Sequence, residues 1–500
     1  MEFAMTNGFA ADVLICGAGA AGLTLAIDLA RRGISFRLID KLEEPFRGSR
    51  GKAIQPRTQE VFQDLGIIDR ILALGGPYPR QRAYQQDGSF IDSDMMEAGL
   101  PTFSEPYPLP LMIPQFLTER VMRERLAELG HQPVFGCELT GFTQDDHGVT
   151  ARLATKAGEE TLRTRWLVGA DGGRSFIRRT LDIGFPGKTL GVRAIVADVV
   201  LTGLSRDVWH RFGLDDRQRQ ISACPLAGTD LFQLQGPVAM DGEVDLSAQG
   251  LTTLLRERSA RHDLLVHSVS WASAYKMNAR LADRYRAQRT FLVGDAAHTH
   301  PPTGGQGLNT SVQDAYNLGW KLDAVIHGAP LALLDTYEAE RRPVAQAMLG
   351  LATGLLYALK SGEMRRGRNV HQLDLGYRES PLAMPTPSRS GDLQAGDRAP
   401  DALVRDAAGQ QHRLFDLFKG PHWTLLCFGT APLAARPGLQ VHAIGKHGAF
   451  ADDAGQFQAA YGVHPGDCVL VRPDGYIGAI IIDQATTLDA CLALAGLGPT

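Results

Sequence analysis

The stretch from Asp12 to Asp40 constrains this chain more than any other. Asp12 to Cys16, DVLIC, is a short apolar run of the kind that forms a buried strand. Gly17-Ala18-Gly19-Ala20-Ala21-Gly22 follows at once, and Leu23 to Arg32 carries helical periodicity. The next strand, Phe36 to Ile39, ends in Asp40, about twenty residues past the glycines. A strand, a glycine turn, a helix and a second strand close into a right-handed βαβ unit. Gly17 permits the tight turn, Gly19 lets a pyrophosphate approach the backbone, and Gly22 lets helix and strand touch. Asp40 is placed to accept hydrogen bonds from the hydroxyls of an adenosine ribose, with Ala20, Ala21 and Lys41 flanking the turn.

Two more strands end in an acid. Trp166-Leu167-Val168 runs into Gly169-Ala170-Asp171-Gly172-Gly173-Arg174-Ser175 and then a helix. Phe291-Leu292-Val293 runs into Gly294-Asp295, a loop holding Pro301, Pro302, Gly304, Gly305 and Gly307, and a helix from Leu308 to Ile326. The prolines stiffen that loop, and its glycines leave a backbone without Cβ atoms that a flat ligand can approach. The helix adds N–H groups with partial positive charge. Between these units, Gly48 to Gly66 is a basic loop leading into a helix. Arg50 is its expected cofactor contact, ahead of Lys52 and Arg57. Pro114-Gln115 opens a helix from Leu117 to Leu129, and the Gln115 amide is a further expected contact.

The remaining segments read as a second and a third body. Residues 77–111 are rich in Pro, Tyr, Phe and Met, and 185–285 holds alternating runs that read as an inserted, mostly antiparallel sheet. Trp209, Phe212, Pro225, Phe232 and Gln235 are its candidate pocket residues. Residues 1–76, 112–184 and 286–375 form the discontinuous dinucleotide-binding domain, 376–395 a Pro/Ser/Gly linker, and 396–500 a small α/β domain. A net charge of −4 without a Lys/Arg cluster argues against nucleic acid. Charges interrupt every apolar stretch, and the N-terminus lacks a basic region with an apolar core, so the expectation is a cytoplasmic protein with no membrane span. Six scattered cysteines without a CxxC argue against a metal centre or a dithiol.

Taken together, the three glycine motifs resemble the fingerprints of the group A FAD-dependent aromatic hydroxylases, which share the para-hydroxybenzoate hydroxylase fold. The tail, with Gly396-Asp397-Arg398-Ala399-Pro400 and LVRPDGYIG at 470–478, is similar to the thioredoxin-like domain of the phenol and aromatic-polyketide branch. The resemblance implies a Rossmann-like FAD domain, an inserted substrate sheet and a thioredoxin-like tail used for packing or dimerisation. It assigns Gly17, Gly19 and Gly22 to the FAD pyrophosphate, Asp40 to the ribose, and Arg50 and Gln115 to the same region. Gly294 and Asp295 would hold the ribityl and pyrophosphate part. Gly305, Gly307, Leu308 and Asn309 would face the flavin pyrimidine, Pro302 and Gly307 would shape the oxygen side, and Asp171 would serve both FAD and NAD(P)H.

The implied activity is hydroxylation of a phenolic or polycyclic aromatic with NADPH (NADH as the alternative donor) and O2, through a flavin C4a-hydroperoxide. Alternatives on the same scaffold are Baeyer–Villiger, epoxidising or antibiotic-inactivating monooxygenases, a reductase that uses no O2, and a flavin-binding protein without turnover. No substrate base is assigned; His210 and His298 are the histidines considered, with His298 read as a brace for the cofactor loop.

Overall fold

The computed structural model describes residues 8–97, 99–301, 303–360, 366–385, 393–430, 435–446, 448–482, 487–494 and 496–497. The chain begins with β1 (Ala11–Cys16), α1 (Ala20–Arg31) and β2 (Phe36–Asp40), and β1 and β2 pair in parallel. After α2 (Pro56–Asp64) it leaves for a second sheet with β3 (Arg80–Tyr84) and β4 (Phe90–Ser93). It returns through α3 (Gln115–Glu128) and the long β5 (Gly158–Gly169). A second excursion makes β6 (Gly187–Thr202), β7 (Val208–Phe212), β8 (Ile221–Pro225), β9 (Phe232–Val238), α4 (Ala248–Ser259) and β10 (Leu265–Leu281). The chain comes back with β11 (Thr290–Leu292) and the long helices α5 (Gly307–Ile326) and α6 (Asp335–Lys360). A last sheet contains β12 (Trp423–Phe428), β13 (Leu439–Ile444), β14 (Cys468–Val471) and β15 (Ile477–Ile481).

The first sheet places β11, β5, β1 and β2 side by side, all parallel. Its strands are apolar along their length because helices cover both faces: Val13, Leu14, Ile15, Leu167, Val168, Phe291 and Leu292 are buried. Register does the rest. Cys16 pairs with Gly169 and Ile39, and Gly169 pairs with Leu292, so the three glycine turns leave the sheet at one edge. That is the carboxyl edge, where ligands of open α/β sheets bind.

The second sheet runs β10, β6, β9, β8, β7, β3, β4. It is antiparallel except where β7 pairs with β3 in parallel. One face is an apolar core under α4, built from Ile195, Ala197, Phe212, Phe232 and Leu234. The other face turns towards the carboxyl edge of the first sheet.

The third sheet is mixed, with β12 parallel to β13 and antiparallel to β14. It docks on the far half of α5 through buried charges. Glu340 accepts from Lys321 at 2.7 Å and from Arg472 at 2.7 and 2.9 Å, while Asn317 and Trp320 donate to Asp474 at 3.1 Å. Arg57 belongs to this seam. It pairs with Glu60 at 2.7 Å and donates to the Asp474 carbonyl at 2.7 Å. The stretch 376–395, read from composition as a linker, behaves differently over its described first half. Tyr377, Ser380 and Leu382 are buried, and Ser380 donates to Glu340 at 2.6 Å. A flexible spacer does not bury its side chains, so that part belongs to the seam.

Candidate cofactor and substrate site

A cavity of about 1620 Å³ lies between the carboxyl edge of the first sheet and the inner face of the second. One ligand pocket takes roughly 300–1,000 Å³, so this space has room for a dinucleotide and a second molecule. The first wall is the β1–α1 turn. Gly17 has φ +112°, and a Cβ on it would stand 2.2 Å from the Ala170 carbonyl oxygen. A Cβ on Gly22 would fall 1.9 Å from the Gly17 carbonyl oxygen. Gly19 differs, because the nearest atom to its missing Cβ is Glu119 Oε1 at 3.7 Å. Its open side faces the cavity, together with Ala18, Ala20 and Ala21, and α1 begins there without a side-chain cap.

Asp40 sits where β2 ends. Its two carboxylate oxygens accept the Ala18 and Leu42 N–H groups at 2.8 Å, which ties β2 to the glycine turn. Lys41 is exposed beside it on the cavity wall. Gln115 clamps the opposite loop. Its N–H donates to the Gly51 carbonyl at 3.0 Å, and its Oε1 accepts the Gly51 N–H at 3.3 Å. Its Nε2 donates to Glu119 Oε1 at 2.8 Å. Glu119 is 1 % exposed, and burial pushes its carboxyl up to about 7. Sequence reading passed over Glu119. The available signal was its spacing from Gln115, i and i+4 on one helix, which puts both on one face.

Asp171 lines the cavity; its Oδ2 accepts the Ile177 N–H at 3.1 Å, while its Oδ1 is buried with no partner among the described residues. Asp295 projects into the same space. Its side chain is open to that space, and the loss of water between the surrounding walls pushes its carboxyl up, against the opposing pull of His298 and Arg50. Arg50 lies over the Phe46 ring at 5.0 Å and the Trp271 ring at 5.9 Å, on the cavity wall. Behind Asp295, His298 Nε2 lies 2.6 Å from Asp314 Oδ2, which also accepts the Gly294 N–H at 3.1 Å. Arg341 holds Oδ1 of Asp314 at 2.8 Å. His298 therefore braces the loop from behind.

The third wall is the start of α5. Gln306, Gly307 and Leu308 line the cavity, the helix has no side-chain cap, and a Cβ on Gly307 would meet nothing. Gly294 and Gly305 have φ of +60° and +65°, with Cβ positions already filled by Ser311 and Ala53. The Asn309 side chain is fully used. It accepts the Gln55 N–H at 2.8 Å and donates to the Ala53 and Gly305 carbonyls at 2.8 and 2.7 Å. Pro302 lies outside the described residues. These features fit a dinucleotide with a flat ring: an open glycine at one helix start, an uncapped second helix start, and a buried carboxylate oxygen without a donor.

The inner face of the second sheet closes the cavity. Of the five pocket candidates, Trp209 and Gln235 reach it. Phe212 and Phe232 point the other way into the core under α4, and Pro225 is buried where β8 ends, away from the cavity lining. Strand alternation is the reason, since residues three apart face opposite sides. His210 lies on the core face with Phe212. Its Nε2 meets the Ser205 carbonyl and its Nδ1 meets Tyr84 Oη, each at 2.9 Å. Lys52, Tyr78, Gln233 and Arg366 also line the cavity. Of these, sequence reading named only Lys52, as an uncertain loop cation.

Comparison with known proteins places this geometry. The model of the "FAD binding domain" family matches residues 10–352. A flavin-dependent monooxygenase from Mycobacteroides abscessus is 41% identical over 484 residues, covering 95% of this chain and 98% of the relative. A 6-methylpretetramide 4-monooxygenase from Streptomyces rimosus is 34% identical, covering 94% and 90%. Among solved structures, a ternary complex of aklavinone-11 hydroxylase with FAD and aklavinone superposes with a TM-score of 0.78 at 27% identity, covering 98% and 99%.

Proposed function

The chain belongs to the FAD binding domain family and is an FAD-dependent monooxygenase of the aromatic hydroxylase type, and we propose that it uses NADPH and O2 to hydroxylate a phenolic or polycyclic aromatic. The observation that carries this reading is the single cavity running from the Gly17–Gly22 turn, past the start of α5, to Trp209 and Gln235. One space serves both a dinucleotide and a flat apolar guest.

When bound, FAD supplies the redox chemistry, taking two electrons from a nicotinamide and delivering one atom of O2 to the substrate. The chain's own residues do the rest. The open backbone at Gly19 and the start of α1 would receive the pyrophosphate. Asp40 would face the adenosine ribose, and Arg50 and Gln115 would hold the middle of the dinucleotide. The unpaired N–H groups at the start of α5 would stabilise negative charge on the pyrimidine edge. Asp171 Oδ1 and Asp295 offer acceptors to cofactor hydroxyls. The second sheet and the 300s loop keep water from the reacting atoms, which suppresses wasteful loss of reducing equivalents to peroxide. The chain has one dinucleotide glycine turn, so NADPH would dock at the cavity mouth near Asp171 and Arg174.

The test is oxygen uptake by FAD-loaded protein with NADPH across simple phenols and polycyclic aromatics, with mass analysis of products. A compound that both stimulates uptake and gains one oxygen atom supports the proposal. Flavin reduction without oxygen consumption for every compound would replace it with a reductase.

A further inference from the structure

We infer that the recess formed by Lys52, Tyr78, Trp209 and Arg366 selects an acidic aromatic substrate and holds its ionised oxygen. The inference rests on the reading of the cavity as an aromatic-substrate site. The four residues come from distant parts of the chain: the loop before Ala53, the loop before β3, strand β7 and the segment after α6. All four line the same cavity. The recess abuts the cofactor wall, because a Cβ on Gly51, next to Lys52, would lie 3.6 Å from Leu308 Cβ.

Its polar edge presents donors. Lys52 Nζ gives one N–H to Gln233 Oε1 at 2.8 Å and lies 4.2 Å from the Trp209 ring centroid. Gln233 Oε1 also accepts Gln235 Nε2 at 2.7 Å, so its acceptor capacity is taken. The ammonium also interacts with the Cys224 thiol, so one N–H is left for a ligand. Trp209 is 5 % exposed, and its buried indole Nε1 has no acceptor among the described residues. The Arg366 guanidinium interacts with the Tyr78 phenol, and no carboxylate among the described residues acts on it.

Asp198 is the acid that faces Lys52. It accepts Gln233 Nε2 at 3.3 Å, and burial pushes its carboxyl up. It acts on Lys52 and leaves Arg366 without an acid. The remaining wall is soft and apolar: Met95, Met112 and Cys224 cluster with Trp209, flanked by Tyr78. Flat, polarisable surfaces of this kind suit an aromatic ring.

A neutral ring in this recess would leave Arg366, half-buried beside Lys52, without a counter-charge, which is costly. A ring bearing a phenolate, enolate or carboxylate oxygen supplies that charge and accepts from Arg366 and Lys52 through charge-assisted hydrogen bonds. An ionised ring oxygen also feeds electron density into the ring carbons, which favours their attack on an electrophilic oxygen.

The experiment uses FAD-loaded protein and two probes of one shape, 2-naphthoate and naphthalene-2-carboxamide, with binding read from the flavin absorbance difference spectrum. Naphthoate is expected to bind at least about tenfold tighter than the amide. Arg366→Met and Lys52→Met should each remove most of that preference while moving the amide by no more than about twofold. Arg366→Lys, which keeps the charge, should restore part of it. Equal binding of the two probes, or a preference that survives both methionine variants, overturns the inference and leaves the aromatic reading intact. Failure of both probes to perturb the flavin overturns the aromatic reading and the inference with it.

Discussion

Glu119 Oε1 lies 3.7 Å from the point where a side chain on Gly19 would begin. A buried carboxyl thus stands beside the one open face of the glycine turn, where the pyrophosphate is proposed to sit. Burial pushes it up to about 7, with the Gln115 amide, the Ala20 N–H and Arg123 pulling it down and Asp40 adding to the rise. The folded apoprotein therefore binds more protons than the unfolded chain at mildly acidic pH. The contribution of Glu119 to stability is greatest below the ordinary carboxylate value and falls as pH rises towards 7, by roughly 3 kcal/mol in all. Thermal unfolding of the apoprotein between pH 5 and 8 should show this slope, and Glu119→Gln should flatten it. The same substitution should strengthen FAD binding above pH 7, measured by quenching of flavin fluorescence.

The three turn glycines do different jobs, and substitution should separate them. Gly22→Ala places a Cβ 1.9 Å from a carbonyl oxygen, so the protein should lose both flavin and stability. The Cβ of Gly19→Val meets no backbone atom within 4 Å, and the variant should fold. Its FAD affinity should nevertheless drop at least about tenfold, because the side chain occupies the pyrophosphate's space. Flavin content of the purified variants and their unfolding midpoints decide the matter. Equal loss of stability in both would refute the distinction.

Trp209 and Phe212 make a paired test of strand alternation. Phe212→Ala removes a ring from the core under α4 and should cost about 3–5 kcal/mol in urea unfolding, with aromatic-ligand affinity little changed. Trp209→Ala should weaken aromatic binding by at least about tenfold, read from the flavin spectrum.

The seam behind α5 should be fragile to single changes. Arg472 and Lys321 outweigh the burial of Glu340 and hold its carboxyl well below the usual range. Glu340→Ala leaves Lys321 without an acid and Arg472 with Asp474 alone, and should cost about 3–5 kcal/mol. Replacing Glu340 and Arg472 together with methionine should lose less than the sum of the single changes. Denaturant midpoints of the two singles and the double close the cycle.

Much of the cofactor site was legible because its physics is local. A tight turn with close backbone approach requires glycine whatever surrounds it. Short apolar runs ending in Asp40, Asp171 and Asp295 announce parallel strands whose tips carry acids. The linked order of the three motifs pointed to one family, and the family match over residues 10–352 agrees.

The substrate side was less legible, for two reasons. Alternation along β7 and β9 was present in the sequence but went unused: Trp209 and Phe212, like Phe232 and Gln235, stand three apart and cannot share a face. The second reason is long range. Arg366 is more than 300 residues from Lys52, and no periodicity links them.

The sequence by itself determined the βαβ unit, the acids at the strand tips and the fold class, since these follow from backbone sterics and apolar pattern within some thirty residues. Only the tertiary structure decided that Arg57 serves the seam, that Glu119 stands beside Gly19, and that Lys52 and Arg366 share one recess. A charged side chain's role depends on which opposite charge or cavity it meets, and that is set by how distant segments pack.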